Sequence, residues 1–202
     1  MKPLLSLAFA CLLMSVSVRA DSVPSLSLGS SAPGFNLPGV DGRNWALKDF
    51  SAANLLVVVF TCNHCPFAKA YENRIMELDK KYAAKGFPVI AINPNDVSIV
   101  PEDSYENMIA RSKEKGYTFP YLYDESQEIA KAYGAVRTPH VFILQKEGEK
   151  MIVKYIGAID NNSDEPEKAD QKYVEDAINA LLAGKGISVA ETKAIGCGIK
   201  WK

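Results

Sequence analysis

The 202-residue chain is long enough for one domain with a substantial core, and a hydrophobic content of 48% argues against a disordered chain. Its 23 basic and 24 acidic residues give a net charge of −1 and include no basic block. Composition therefore indicates a globular protein and argues against nucleic acid or an anionic membrane as its partner.

Residues 1–20 have the features of a secretory signal peptide. Lys2 supplies a positive charge near the start, residues 4–18 are mostly apolar, and Val18-Arg19-Ala20 resembles a cleavage site. A membrane anchor is the alternative, but the apolar run is short for a membrane span. No later apolar run reaches spanning length, so we expect an exported, periplasmic protein with no membrane span in its mature chain.

A central strand and the helix that follows it are predicted in the first half of the domain. Residues 55–60 (LLVVVF) form a short, continuous apolar run, which is typical of a strand buried on both faces. Apolar side chains then recur at helical spacing from Phe67 to Tyr82, and Gly86 ends the helix. A second apolar strand, Val89–Asn93, completes a βαβ unit with parallel strands.

The second half of the domain adds further helices and an antiparallel hairpin. Helices are predicted from Asp103 or Ser104 to Lys115, over 125–133 and over 171–183, and hairpin strands over 140–145 and 150–156. This order predicts an α/β domain with a mixed central sheet flanked by helices. We assign residues 21–186 to the domain and 187–202 to a C-terminal tail.

Three cysteines remain after removal of the signal peptide, which takes Cys11 with it. They are Cys62, Cys65 and Cys197. An odd number is informative, because a purely structural disulfide framework would pair every cysteine. At least one of the three is therefore free or exchanges partners.

The sequence Cys62-Asn63-His64-Cys65 is the candidate catalytic motif. We expect Cys62 at the start of a helix, where the helix dipole and unpaired N–H groups favour a thiolate and lower the cysteine pKa. Cys65, further into the helix, would then resolve a mixed disulfide, and His64 would add positive charge beside the thiolate. Because the pair itself carries the electrons, no organic cofactor is needed. The partners would be thiol or disulfide proteins and a redox partner protein.

Several segments resemble the redoxin family, the peroxiredoxin-like, AhpC/TSA-related proteins with a CxxC site in the thioredoxin-like superfamily. They are FTCNHCPFAKAYE (60–72), AINPND (91–96), PEDSYENM (101–108), FPYLYDESQ (119–127) and GCGIKW (196–201). The resemblance implies a thioredoxin-like fold and a thiol-disulfide oxidoreductase. It also implies that the bond from Thr138 to Pro139 is cis, that Pro139 faces Cys62 and Cys65, and that the Thr138 backbone holds an incoming peptide or disulfide.

Other functions remain open for the cysteines. Copper chaperones of the Sco type have a thioredoxin-like fold with two cysteines and a distant histidine, so Cys62, Cys65 and His140 form an alternative copper site. A zinc site is disfavoured because no second close Cys/His pair exists in the sequence. A thiol peroxidase is a third alternative, although neither cysteine follows the Pro-x-x-x-Thr-x-x-Cys pattern of peroxidatic cysteines.

Cys197 lies in the tail between Gly196 and Gly198, and flanking glycines indicate mobility. The tail could bring Cys197 to the other two cysteines as a third thiol in a disulfide relay. The alternatives are a free cysteine and an intermolecular disulfide.

Overall fold

The structure is a computed structural model, and it describes residues 26–202. The predicted signal peptide, residues 1–20, lies outside the described residues. Four helices are present in this part of the chain: α1 (Pro66–Tyr82), α2 (Tyr105–Lys115), α3 (Glu128–Tyr133) and α4 (Tyr173–Leu182). The strands are β1 (Asn36–Pro38), β2 (Asn44–Ala46), β3 (Leu55–Phe60), β4 (Val89–Asn93), β5 (Tyr121–Tyr123), β6 (Arg137–Thr138), β7 (His140–Glu147), β8 (Lys150–Gly157) and β9 (Cys197–Gly198).

Five strands form a mixed central sheet in the order β5-β4-β3-β7-β8. The pairs β3–β4 and β4–β5 are parallel, and the pairs β3–β7 and β7–β8 are antiparallel. This arrangement confirms the predicted thioredoxin-like fold and the βαβ unit. Two small antiparallel pairs, β1–β2 and β6–β9, lie outside the main sheet.

Strand β3 is the centre of the core, and each of its six residues is at most 2% exposed. Alternate side chains of a strand point to opposite faces, so the run LLVVVF supplies apolar groups to both sides of the sheet. Val57 and Val59 pack with Tyr71 and Ile75 of α1. On the other face, side chains of β3 and β7 form a second apolar cluster that includes Phe60, Tyr133 and Phe142. The sheet is therefore held on both faces, and the end of β3 is a rigid point from which the next residues extend.

Most predicted elements are confirmed, and the differences have local causes. The helix predicted from residue 125 begins at Glu128, because the Asp124 carboxylate accepts the N–H groups of Ile129 and Ala130 and Gln127 has a positive φ of 64°. Strand β5 was not predicted from the sequence. Its three residues, Tyr-Leu-Tyr, give too short an apolar run to identify a strand without the neighbouring β4.

The C-terminal tail is part of the folded structure. Its strand β9 pairs with β6, with Cys197 opposite Thr138 and Gly198 opposite Arg137. The mobility suggested by the flanking glycines is therefore not what the structure shows at this position. None of the helices in residues 26–202 has both the length and the apolar character needed to cross a bilayer.

Candidate active site

The two motif cysteines lie between the end of β3 and the start of α1. Cys62 follows the strand by two residues, and Cys65 is the residue immediately before the helix, which begins at Pro66. The prediction that Cys62 starts the helix and Cys65 lies within it is therefore wrong by about one turn. Proline favours the first helical position, because it has no N–H to leave unpaired, and here it fixes the helix start after Cys65.

Thr138 contacts both sulfur atoms. Its hydroxyl Oγ1 lies 3.2 Å from Cys62 Sγ, and its carbonyl oxygen accepts a hydrogen bond from the Cys65 thiol at 3.3 Å. The peptide bond between Thr138 and Pro139 is cis, as the family resemblance implies. Thr138 of strand β6, the residue before the cis-proline, thus faces the cysteine pair.

The cysteines are free thiols that interact strongly with each other. Cys62 is 3% exposed and Cys65 is fully buried. A hydrogen bond from the Cys62 thiol lowers the pKa of Cys65 to about 4, although burial acts in the opposite direction. The same hydrogen bond and burial raise the pKa of Cys62. The interaction between the two sulfurs therefore lowers the pKa of Cys65, the residue next to the helix start, and not the pKa of Cys62 as the sequence predicts.

A buried carboxylate, Asp103, organises the loop that contains the cysteines. Its Oδ1 accepts the backbone N–H groups of Asn63 at 2.6 Å and His64 at 3.3 Å, and its Oδ2 lies 2.6 Å from His64 Nδ1. Asn95 adds a further hydrogen bond, from Nδ2 to Asp103 Oδ2 at 2.8 Å. The carboxylate is fully buried, whereas the His64 side chain is 20% exposed. Asp103 thus fixes both the backbone around the motif and the orientation of the His64 ring.

The role of Asp103 was missed in the sequence, where it is interpreted only as one of two possible helix caps. Ser104, the other of the two, caps α2, since its hydroxyl accepts the N–H of Asn107 at 3.3 Å. Asn63, between the two cysteines, is also part of this network, because its side chain accepts from the Tyr121 hydroxyl at 3.0 Å and donates to the Glu102 carbonyl oxygen at 3.0 Å. Asp103, Asn95 and Tyr121 all lie in segments that resemble the redoxin family, but that resemblance does not indicate that they contact one another.

His140 is not brought to the cysteines. Its ring packs against Phe142 with a centroid distance of 4.7 Å, on the face of the sheet opposite α1. The residue is 7% exposed, its Nδ1 has no hydrogen-bond partner among residues 26–202, and burial lowers its pKa to about 4. The predicted copper set of Cys62, Cys65 and His140 is therefore not assembled.

A different group of possible metal ligands is present within residues 26–202. Ligand atoms of Cys62, His64 and Asp103 all lie within 4.8 Å of one another. Thiolate and imidazole suit copper or zinc, and the carboxylate is a harder ligand. In this structure Asp103 already accepts four hydrogen bonds, so its oxygens are engaged by protein groups.

Cys197 is the third sulfur of the site. It packs against the cluster formed by Cys62, Cys65 and Ala68, and its exposure is intermediate. Burial and a hydrogen bond with Cys65 raise the pKa of Cys197 to about 11. Cys65 thus interacts with both of the other cysteines.

A cysteine pair after a buried strand, next to a helix start and opposite a cis-proline, defines a thioredoxin-fold oxidoreductase of the thiol-disulfide class. The sequence model of the AhpC/TSA family matches residues 28–155, and the chain belongs to that family.

Individual relatives agree with this assignment. The chain is 29% identical over 126 residues to the thiol-disulfide oxidoreductase ResA of Bacillus thuringiensis. The aligned region covers 61% of this chain and 67% of the relative. A crystal structure of an uncharacterized conserved protein from Geobacillus kaustophilus is 40% identical, with a TM-score of 0.80 over 88% of this chain and 93% of the other. A hypothetical protein from Sinorhizobium meliloti is 36% identical, with a TM-score of 0.79 over 89% and 97% of the two chains.

Proposed function

We propose that Cys62 and Cys65 are a redox-active pair that exchanges with the disulfides or thiols of other proteins. The observation that carries the proposal is the contact of both sulfurs with Thr138, the residue before the cis-proline, and their interaction lowers the pKa of Cys65. A paired thiolate and thiol can attack and then resolve a disulfide without any added group. The reaction needs no bound organic cofactor, because the cysteine pair carries both electrons.

Cys62 is the attacking sulfur in this proposal, and Cys65 is the resolving sulfur. The proton shared by the pair moves from Cys62 to Cys65 as Cys62 attacks one sulfur of a substrate disulfide. The substrate disulfide breaks, a mixed disulfide with Cys62 forms, and one substrate thiolate leaves and takes up a proton. Cys65 then loses its proton and attacks Cys62, which releases the second substrate thiol and leaves a Cys62–Cys65 disulfide. The reverse sequence oxidises a substrate dithiol.

His64 and Asp103 support this chemistry without exchanging electrons. Asp103 accepts the backbone N–H groups of Asn63 and His64. These hydrogen bonds hold the loop with the cysteines at the end of β3. Asp103 also orients the His64 ring, and a positive charge on that ring would stabilise a nearby thiolate and so favour the reduced form. Thr138 offers its hydroxyl to Cys62 and acts as a wall for the substrate.

We infer that the protein is exported and works in the periplasm. Support comes from residues 1–20, which have the pattern of a signal peptide, and from the use of a cysteine pair that cycles in an oxidising compartment. Its partners would be a thiol or disulfide protein and a protein that restores the redox state of the pair.

A disulfide reductase assay tests the function directly. Insulin serves as the disulfide substrate and dithiothreitol as the reductant. We expect Cys62→Ser to lower the rate by at least about tenfold, a loss of about 1.4 kcal/mol of transition-state stabilisation. Cys65→Ser should trap the mixed disulfide on Cys62. Equal rates for the wild type and both variants would contradict the proposal.

Copper binding is the second candidate, and it is favoured by the closeness of Cys62, His64 and Asp103. In this case the histidine ligand would be His64 and not the predicted His140. Titration of the reduced protein with Cu(I) distinguishes the two histidines as ligands, because His64→Ala would weaken copper binding and His140→Ala would not. If the protein binds no copper in this titration, the copper-chaperone function is excluded.

A thiol peroxidase would instead consume hydrogen peroxide through Cys62. If no peroxide is consumed in the presence of a thiol donor, the peroxidase function is excluded.

A further inference from the structure

The C-terminal segment 196–202 lies directly against the wall of the active site. Strand β9 pairs with β6, and the N–H of Ile199 donates to the carbonyl oxygen of Val136 at 3.2 Å. Arg137 donates from Nη1 to the carbonyl oxygen of Gly196 at 2.8 Å. A Cβ atom added at Gly196 would overlap the carbonyl oxygen of Thr138, so the two backbones are in close contact at this point.

The segment is anchored beyond the strand as well. The carbonyl oxygen of Lys200 accepts hydrogen bonds from the N–H of Asp96 at 2.9 Å and from Gln127 Nε2 at 2.7 Å. The N–H of Lys200 donates to Asn95 Oδ1 at 2.9 Å, and that of Lys202 donates to Gln127 Oε1 at 2.9 Å. These bonds tie the tail to the loop after β4 and to the start of α3, so Cys197 is held between two fixed points.

Cys197 lies directly beside the cysteine pair. In antiparallel pairing with Thr138, it lies opposite the residue whose hydroxyl and carbonyl oxygen contact Cys62 and Cys65. Its side chain packs against the cluster of Cys62, Cys65 and Ala68, and it is more exposed than either of the two cysteines. The tail therefore presents a third thiol to the cysteine pair.

We propose that Cys197 is a third catalytic sulfur, which exchanges with Cys65 in the oxidised enzyme. This proposal rests on the function proposed above, since that reaction supplies the Cys62–Cys65 disulfide. The Cys197 thiol gives up its proton and attacks the sulfur of Cys65. The Cys62–Cys65 bond breaks, a Cys65–Cys197 bond forms, and Cys62 leaves as a thiolate that takes up the proton. No electrons enter or leave the protein in this step.

The exchange has a consequence for the partners of the enzyme. It moves the disulfide from two buried sulfurs to a pair that includes the more exposed Cys197. A reducing partner can then attack Cys197 without opening the buried pair.

The Cys62→Ser variant isolates the new disulfide. When this variant is equilibrated with glutathione disulfide, two thiols remain, and we expect an intramolecular Cys65–Cys197 bond in most chains, found by peptide mapping without reduction. Retention of two free thiols, or glutathione bound to Cys65 with Cys197 free, would overturn the proposal. A Cys65→Ser variant should form no bond between Cys62 and Cys197, because Cys65 is the sulfur that interacts with Cys197.

Two glycine variants provide a matched control in the Cys62→Ser protein. Gly196→Ala would push the tail away from Thr138, and we expect it to slow formation of the Cys65–Cys197 bond by at least about tenfold. Gly198→Ala adds a Cβ that meets open space, so bond formation should be unchanged. Equal rates for the two alanine variants would contradict the placement of Cys197 by β9.

The wild type separates failure of this inference from failure of the proposed function. If glutathione disulfide yields a Cys62–Cys65 bond in the wild type but no Cys65–Cys197 bond in Cys62→Ser, only the role of Cys197 is wrong. If the wild type forms no bond between Cys62 and Cys65 under any glutathione ratio, the proposed function itself is wrong.

Discussion

The two histidines of the domain have opposite environments, although both were candidates for the active site. His64 lies in the loop between the cysteines, and Asp103 holds its Nδ1 at 2.6 Å. His140 starts β7 on the far face of the sheet, where its Nδ1 has no partner among residues 26–202. A buried carboxylate therefore orients one ring beside the cysteines, whereas burial among apolar groups isolates the other. Substitutions at the two histidines and at Asp103 test this difference, and substitutions at Cys62 test the sulfur beside them.

The largest effect is expected for Asp103→Asn. In the wild type, N–H donors bind the two carboxylate oxygens of Asp103. In the variant, an amide N–H₂ group replaces one of these oxygens and faces the same donors, so several buried hydrogen bonds are lost at once. We expect a loss of about 3 kcal/mol in the free energy of unfolding, measured by urea denaturation. The pKa of Cys62 should also fall, because the negative charge of Asp103 contributes to raising it. An unchanged stability would mean that Asp103 does not organise the loop.

The second test uses the pH dependence of His140. Its pKa is lowered from 6.5 to about 4 in the folded state, so the unfolded chain binds more protons between these values. Stability should therefore fall as the pH falls from about 6.5 to about 4, by about 3 kcal/mol at most. His140→Phe should lack this contribution, while the reductase rate at neutral pH stays unchanged. Urea denaturation of both proteins across this pH range measures the contribution of His140. If the free energies of unfolding of the two proteins change with pH in the same way, His140 is not a buried, neutral histidine.

The third test concerns the thiolate on Cys65. Without the Cys62 thiol as donor, the pKa of Cys65 should rise by more than about one unit, or about 1.4 kcal/mol. Cys62→Ala removes this donor, whereas Cys62→Ser keeps a hydroxyl that can donate in its place. Ultraviolet absorbance of the thiolate follows the titration. In the serine variant, as in the wild type, the thiolate should persist down to about pH 4 and disappear below it. Identical titrations of the alanine and serine variants would refute the hydrogen bond as the cause.

The smallest effect is expected for His64→Gln. A positive charge on the His64 ring would favour a nearby thiolate and so the reduced form, and its removal should make the disulfide less oxidising. Because the Asp103 charge offsets that of the ring, we expect the reduction potential to fall by less than about 30 mV. Equilibration with glutathione measures the shift. The matched His140→Gln variant should leave the potential unchanged, and a larger shift there than at His64 would reverse the comparison.

The sequence carries much of the fold and part of the site. LLVVVF and VIAIN are buried on both faces, so their apolar runs identify the central strands, and the FTCNHC motif follows directly at the strand end. The helix start could not be placed correctly, because periodicity alone does not distinguish Cys62 from Pro66 as the first turn. Asp103 contacts Asn63, which lies 40 positions earlier in the chain. Its carboxylate accepts backbone N–H groups, which almost every residue has, so the side chains of the partners give no signal. No local pattern identifies such a partner.

The tail shows the same limit. Glycines beside Cys197 indicated freedom of movement, yet Gly196 is needed for close approach to Thr138. Both uses of glycine give the same local sequence, and only the long-range pairing of β6 with β9 separates them. His140 was assigned to the cysteine side because it follows Thr138-Pro139. In the structure it is the first residue of β7, whose side chains alternate between the two faces of the sheet.

Equilibration of the wild type with glutathione redox buffers tests the central claim most directly. Mass analysis of the quenched thiols reports which cysteines are bonded at each ratio. The account predicts a two-electron transition in which Cys62 and Cys65 form a disulfide together, and only a glutathione adduct on Cys62 when Cys65 is replaced by serine. Wild-type protein in which both cysteines stay reduced, or carry separate glutathione adducts, at every ratio would contradict it.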